Sequence, residues 1–292
     1  MPGKNILIEK KDKIAWIIFN RPDKLNSWDF PGQGGITDEF QAALDEVEKD
    51  DDIKVLILKG NGRAFSAGHD LSTVGFIYGY GTGEQKDERR PSQRVRLNVD
   101  REAFAENHRR LFLFPKVTIA QVHGYCIGEG IILMCCCDLA IASEDARLSH
   151  SEQRMGFAGS GMGTIPILIA TVGLKRAMDI LLTGRHLDGK EAERYGLVNK
   201  AVSIDKLDEE VLELAKTICL MPRDGIAIGK AHRHLSYDGM GLTTGFTQGY
   251  LTHTLFTNLR WEADEYNFFK YRRDDSVRTA IHKRDARYEG GE

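Results

Sequence analysis

Between His123 and Glu152 the sequence reads HGYCIGEGIILMCCCDLAIASEDARLSHSE. Glycines at 124, 128 and 130 space a turn that runs into the apolar segment Ile131 to Cys137, which stops at Asp138. A glycine-rich turn feeding a buried helix presents first-turn N–H groups at the positive end of the helix dipole. Such an end holds an oxyanion where the backbone can approach closely, and glycine permits that approach. The same pattern also fits a buried helix with a flexible entry. Glu152 offers a carboxylate for acid/base work, or a surface charge in a polar loop. His150 stands two residues earlier, placed to tune Glu152, to bind substrate, or simply to pack. Glu129 falls in the first helical turn, where negative charge is favourable anyway; its side chain reads as a capping or solvent-facing group.

The elements around this stretch belong to an ordinary soluble globular chain. It has 292 residues, 41% of them hydrophobic and 28% charged, enough for a large core. A net charge of −3 argues against a nucleic-acid surface or a polybasic membrane anchor. No apolar run approaches the roughly 18 residues that span a bilayer, and MPGKNILIEKKDK is too charged for a secretory signal. Three of the five cysteines are consecutive, Cys135 to Cys137. Neighbouring helical residues point different ways, so the triplet closes no single metal site, and there is no CxxC spacing. The expectation is reduced thiols in a cytoplasmic protein without a metal.

Read in order, Ile14 to Phe19 predicts a strand, followed by a turn over 20–24 and a glycine-bearing loop over 29–35. Phe40, Ala43, Leu44 and Val47 repeat at helical spacing. Val55 to Leu58 predicts a buried parallel strand, and Gly60-Asn61-Gly62 turns the chain into RAFSAGHDLS. Residues 73–107 are the least regular part, read as a surface insertion with some helix, either a lid over a pocket or a loop without a role. Val117 to Val122 predicts another strand. The glycines of Met155 to Thr164 do not match a dinucleotide pattern, which rejects cofactor binding there. Arg176 to Leu182 predicts a helix. A second helix spans 205–218, with Leu207, Val211, Leu214, Ala215 and Ile218 on one face. Strands and helices alternate in the first half and helices fill the second, as in an α/β core with a helical C-terminal part.

Five segments in order resemble the enoyl-CoA hydratase/isomerase superfamily, the crotonases: NRPDKLNS (20–27), VLILKGNGRAFSAGHDL (55–71), PKVTIAQVHGYCIGEG (115–130), CDLAIASEDARLSHSE (137–152) and LLTGRHLDGKEAERYGLVNKAV (181–202). The resemblance implies an α/β fold with a crotonase-like ββα spiral core over residues 1–205, an inserted loop at about 73–107, and a helical C-terminal trimerisation region over 206–292. It implies a homotrimer or hexamer acting on a coenzyme A thioester, with coenzyme A as part of the substrate and no separate cofactor. The thioester carbonyl would lie between the backbone N–H groups of His69 and Glu129, which stabilise an enolate-like oxygen. Around them the resemblance implies a substrate- and coenzyme A-binding set of Lys24, Ala67, Asp70, Leu71, Gly128, Ile132, His150 and Lys283. Asp70 is read chiefly as a brace for its loop. Lys283 and Arg284 fall where relatives meet coenzyme A phosphates, or form a solvated helix face.

Two departures narrow the chemistry. Hydrating members usually carry two glutamates; the later one aligns with Glu152 and the earlier one with Ile132, which holds no proton. The central glycine of the usual glycine triplet is Glu129. One carboxylate suffices to take a proton from one carbon and return it to another, so the expectation is an acyl-CoA enzyme working through Glu152 by double-bond isomerisation or hydration. The resemblance places the acyl tail beside the enlarged loops at 29–35 and 73–107, which implies that a bulky or cyclic acyl group is compatible with the site. A C–C or thioester hydrolase of the same family is the alternative chemistry. A non-catalytic scaffold or RNA-binding member is the alternative class.

Overall fold

The computed structural model describes residues 3–29, 34–157 and 163–289. Residues 30–33 of the loop over 29–35 and 158–162 of the glycine-rich stretch over 155–164 therefore lie outside the described residues. The strands are β1 (Ile6–Lys11), β2 (Ile14–Phe19), β3 (Val55–Gly60), β4 (Ala64–Ser66), β5 (Val117–Val122), β6 (Tyr125–Ile127), β7 (Leu139–Ser143), β8 (Arg147–Ser149) and β9 (Lys200–Val202). The helices are α1 (Ile36–Lys49), α2 (Gln93–Asp100), α3 (Glu106–Phe112), α4 (Glu129–Cys136), α5 (Ile165–Val172), α6 (Leu174–Thr183), α7 (Gly189–Tyr195), α8 (Leu207–Cys219), α9 (Arg223–Gly239), α10 (Thr244–Phe256), α11 (Phe268–Asp274) and α12 (Val277–Ala286).

β1 and β2 form a hairpin whose two-residue turn, Asp12-Lys13, has both φ angles positive, as a turn matched to strand twist requires. From β2 onward the large sheet is parallel, in the order β1-β2-β3-β5-β7-β9. Alternate residues of each strand face opposite sides of a sheet. Val55 and Ile57 pack with Ile14, Ile119, Ile141 and the apolar stripe of α8, while Leu56 and Leu58 pack with Phe19, Ala120, α1 and α4. Both faces are covered, so the central strands read as continuous apolar runs.

After β3, β5 and β7 the chain turns within a few residues into β4, β6 and β8, which pair in parallel as a second, three-stranded sheet. Each repeat thus lays one strand in the large sheet and the next in the small one, which is the ββα spiral of the crotonase fold. Beyond its first residue, Glu129, α4 is apolar on every side, and it is buried throughout apart from Cys135, which is partly covered.

The segment over 73–107 is largely helical. A 3-10 turn spans Val74–Tyr78, α2 follows, and a π-helical turn, Arg101–Ala105, leads into α3. Within this segment, read from the sequence as a surface insertion, Arg96 and Asp100 are 3% and 0% exposed and pair with each other one helical turn apart. The tail is also more self-contained than its composition suggests. Phe268 and Phe269 look in the sequence as if they need burial against another subunit, but both are fully buried in their own chain. They join Val74, Ile77, Tyr78, Met155 and Phe157 in a second core; burying two such side chains contributes about 2–3 kcal/mol each. Among the described residues no helix is long and apolar enough to cross a membrane.

Candidate active site

The three strands of the small sheet run the same way, and each hands its next residues to one place. Ala67, Gly68 and His69 follow β4; Gly128 and Glu129 follow β6; His150, Ser151 and Glu152 follow β8. All of these except Glu129 and His150 border a narrow cavity of about 80 Å³. Its wall includes Ala67, Gly68, His69, Gly128, Ile132 and Glu152, closed on the far side by Tyr78, Phe157, His253 and Phe269.

The NRPDKLNS stretch positions the first loop. Asn26 accepts from Arg21 N–H (2.8 Å) and donates to the carbonyls of Ala64 (2.7 Å) and Asn61 (3.0 Å). Ala67 N–H reaches Leu25 O, Trp28 N–H reaches Gly68 O, and Asp70 N–H reaches Trp28 O, at 2.8 to 2.9 Å. Because Gly68 O is aimed at Trp28, the N–H of His69, trans across the same planar peptide, points the opposite way. The start of α4 packs closely against Gly68: a β-carbon placed there would meet Ile127 O at 2.8 Å and Glu129 N at 3.3 Å. The Glu129 N–H belongs to the first turn, where no intrahelical carbonyl can receive it. Gly128 precedes it with φ +57° and ψ −115°, a backbone geometry closed to other residues.

Glu152 sits in the 3-10 turn Ser151–Met155, its side chain 17% exposed. His150, almost fully buried, brings Nδ1 to 3.0 Å from Glu152 Oε2, as a charge contact that lacks the alignment of a hydrogen bond. Burial works to raise the Glu152 carboxyl, but the His150 charge overcomes it and holds the group below the usual carboxylate range. Burial likewise works to lower His150, and Glu152 more than reverses it. Glu152 therefore stays a carboxylate at neutral pH, beside an imidazole biased toward the charged form.

The Glu129 side chain is neither solvent-facing nor a capping charge. It is buried, its Oε1 lies 2.5 Å from His108 Nε2, and its Oε2 lies 3.9 Å from His69 Nε2. Burial pushes this carboxyl up, and the His108 charge brings it below the ordinary value. Burial pushes the His69 ring down, opposed in part by Glu129. The Glu129 carboxylate faces a separate small space with Trp28, Phe40 and His108, so it is not a second acid in the main cavity.

Leu71 also lines the cavity, and His150 stands behind Glu152. Asp70 faces away from the cavity: it meets Lys24 at 3.0 Å and Arg21 at 3.7 Å, and accepts from Ser72. That makes it a brace, and Lys24 an exposed partner of it. Lys283 lies apart on α12, paired with Asp275 at 3.1 Å and over the Tyr271 ring. Arg284 is no solvated face; it is 6% exposed, paired with Asp285 and set over Phe268. Sequence reasoning missed His108, Tyr78, Phe157, His253 and Phe269. His108 comes from α3, Tyr78 from the 73–107 segment, Phe157 from the end of the turn that carries Glu152, and His253 and Phe269 from the C-terminal helices; none carries a local motif.

Comparison with known proteins assigns the chain to a family. A family model described as enoyl-CoA hydratase/isomerase matches residues 9–272. A Thermus thermophilus protein carrying the provisional name enoyl-CoA hydratase is 32% identical over 237 residues, covering 81% of this chain and 86% of its own. The hydroxycinnamoyl-CoA hydratase-lyase of Pseudomonas fluorescens is 31% identical over 215 residues, covering 74% and 72%. A crystal structure of an enoyl-CoA hydratase/isomerase from Xanthobacter autotrophicus Py2 superimposes with a TM-score of 0.76 at 30% identity, covering 98% of both chains. The chain belongs to the enoyl-CoA hydratase/isomerase family.

Proposed function

We propose that this protein binds an acyl-CoA thioester with its carbonyl oxygen between the N–H groups of His69 and Glu129, and moves protons to and from the resulting enolate through Glu152. The observation that carries the reading is the position of Glu152. An ionised carboxylate stands at the wall of an apolar cavity, against the same Gly128 turn whose next N–H would hold the oxygen. Preformed donors there are not reorganised when charge develops, and a single carboxylate can shuttle a proton between carbons. The lining by Val74, Ile77, Tyr78, Met155, Phe157 and Phe269 supports a flat, apolar acyl group. Double-bond migration fits one carboxylate better than hydration does. The test is a panel of acyl-CoA thioesters incubated in deuterated water and read by mass spectrometry. α-Proton exchange that depends on Glu152 is expected, and its absence across the panel overturns the reading.

We infer also that the chain assembles as a trimer or hexamer. Ile228 and Leu235 lie two turns apart on α9, each 70% exposed, and α10 adds Leu251 and Leu255. An apolar row of this kind calls for cover. Sedimentation at micromolar concentration should give three or six chains; a monomer would contradict it.

A further inference from the structure

Beside the main cavity lies a second, much smaller space of about 10 Å³, bordered among others by Trp28, Gln41, His69 and Glu129. Three of these residues each carry a buried polar atom that finds no hydrogen-bond partner among the described residues: Trp28 Nε1, Gln41 Nε2 and Glu129 Oε2. Trp28 and Glu129 are 3% and 4% exposed, so bulk water does not satisfy them. Gln41 is oriented by Arg110, whose Nη1 donates to its Oε1 at 3.3 Å and leaves the amide N–H₂ as the other end. An indole N–H, an amide N–H₂ and a carboxylate oxygen are each costly to bury unpaired. On the border of one space they complement each other through a single water, which accepts from both N–H groups and donates to the carboxylate. A space of this size admits one water, and such a water needs roughly two to four polar partners. His69 Nε2, 3.9 Å from Glu129 Oε2, stands at a separation that a water spans.

The two ends of this bridge belong to the two halves of the donor pair. Trp28 holds the first half: its N–H donates to Gly68 O and its carbonyl accepts from Asp70 N–H, on either side of His69. Glu129 carries the second half as its own backbone N–H. We propose that the space beside Glu129 is a binding site for one ordered water, and that this water fixes the His69 and Glu129 N–H groups relative to each other by tying the Trp28 indole to the Glu129 carboxylate. The positioning role rests on the acyl-CoA reading above; the water site does not. His108 takes one oxygen of Glu129 and the water takes the other, which gives this buried carboxylate a task apart from proton transfer. Trp28, Gln41 and the Glu129 side chain touch no reacting atom; they are positioning residues.

A crystal structure of the full chain tests the site. One water within hydrogen-bond distance of Trp28 Nε1, Gln41 Nε2 and Glu129 Oε2 is expected; a dry space, or these three atoms bonded to protein groups instead, overturns the proposal. Trp28→Phe tests the role, because it keeps an aromatic ring against Phe19 and Phe40 and removes the N–H. It should lower α-proton exchange by about tenfold, less than deletion of a whole oxyanion donor. Acyl-CoA affinity should stay within about threefold, and the carbonyl stretch of a bound, isotope-labelled thioester should move toward its value in water. Lost packing alone would lower the melting temperature and leave that stretch in place. If exchange stays within about threefold of wild type and the stretch does not move, the positioning role is overturned while the acyl-CoA reading stands. If wild type exchanges no α-proton on any thioester, the acyl-CoA reading falls and the positioning role with it, and the electron density alone decides the water site. Should Trp28→Phe not fold, Gln41→Met removes the other N–H donor at similar side-chain length and decides by the same two readings.

Discussion

A β-carbon placed on Gly128 would lie 2.6 Å from Oε1 of Glu152. The turn that presents the Glu129 N–H is therefore also the surface against which the carboxylate rests. Two functions share one glycine, because the enolate oxygen and the departing proton belong to adjacent atoms of the same substrate. Gly128→Ala is expected to push Glu152 off its position and to strain a positive-φ residue, at a cost of about 1–3 kcal/mol. Turnover should fall about 10²-fold, as a misplacement of roughly 1 Å can produce, with the protein still folded by circular dichroism. Unchanged turnover would mean that Glu152 has room to act from elsewhere.

Glu152→Gln keeps shape and removes the charge. Turnover and α-proton exchange should both disappear, while acyl-CoA affinity measured by calorimetry stays within about tenfold, roughly 1.4 kcal/mol. A variant that still turns over at near the wild-type rate would take Glu152 out of the mechanism.

The His150–Glu152 pair gives a pH dependence whose sign follows from the two shifts. Glu152 has a lowered pKa when folded, so its contribution to stability is present above its unfolded value, about 4.3, and is lost as pH falls through the folded value. His150 has a raised one, so its contribution is complete below about 6.5 and is lost as pH rises through the folded value. The pair thus stabilises most between those limits. In His150→Gln, burial acts on Glu152 with only a backbone hydrogen bond and the His69 charge left against it, and the acidic limb of kcat/KM should move to higher pH. A profile that stays in place would show that His150 only packs.

Glu129 should behave differently. Its carboxylate is spent on His108 and on the side of His69 away from the main cavity, while its N–H belongs to the backbone and survives substitution. Glu129→Gly is expected to leave kcat within about tenfold but to destabilise the fold by about 3–5 kcal/mol, because His108 is left buried without its partner. Chemical denaturation measures the second effect. A collapse of rate with stability intact would make the side chain a direct participant.

How much of this was legible depends on the range of the interaction. β2 and β5 fall where the apolar runs place them, and Phe40, Ala43, Leu44 and Val47 bury one face of α1 as their spacing predicts. Periodicity is local, and the core selects it directly. The turn bearing Gly128 was legible because close backbone approach favours glycine; the turn bearing Gly68 entered only through the family resemblance. The Glu129–His108 pair was not legible: nothing at either position marks a carboxylate that will be buried against α3. Asp100 and His253 lie far apart in the chain, and Arg96 with Asp100 at helical spacing looks the same whether solvated or buried. The tail aromatics showed that something would cover them, but not that the 73–107 segment of the same chain does so.

The last expectation concerns water. Ile132 is 2% exposed and contributes a branched apolar side chain to the cavity wall beside Glu152. An attacking water held between two carboxylates gains orientation that can be worth several kcal/mol of a barrier. Glu152 alone can accept a proton from that water, yet nothing at position 132 aims its lone pair at the substrate. Hydration of crotonyl-CoA should therefore be slow, with kcat/KM well below roughly 10⁶ M⁻¹s⁻¹, while α-proton exchange persists on the same substrate class. Ile132→Glu tests the cause. If the pocket tolerates the charge, hydration rises; if burial protonates the new carboxyl instead, hydration stays low at neutral pH and rises as pH increases. Efficient hydration by the wild type would sink the argument, because a second group must then be holding the water. The cavity-facing histidines, His69 and His253, would be the side chains to substitute first.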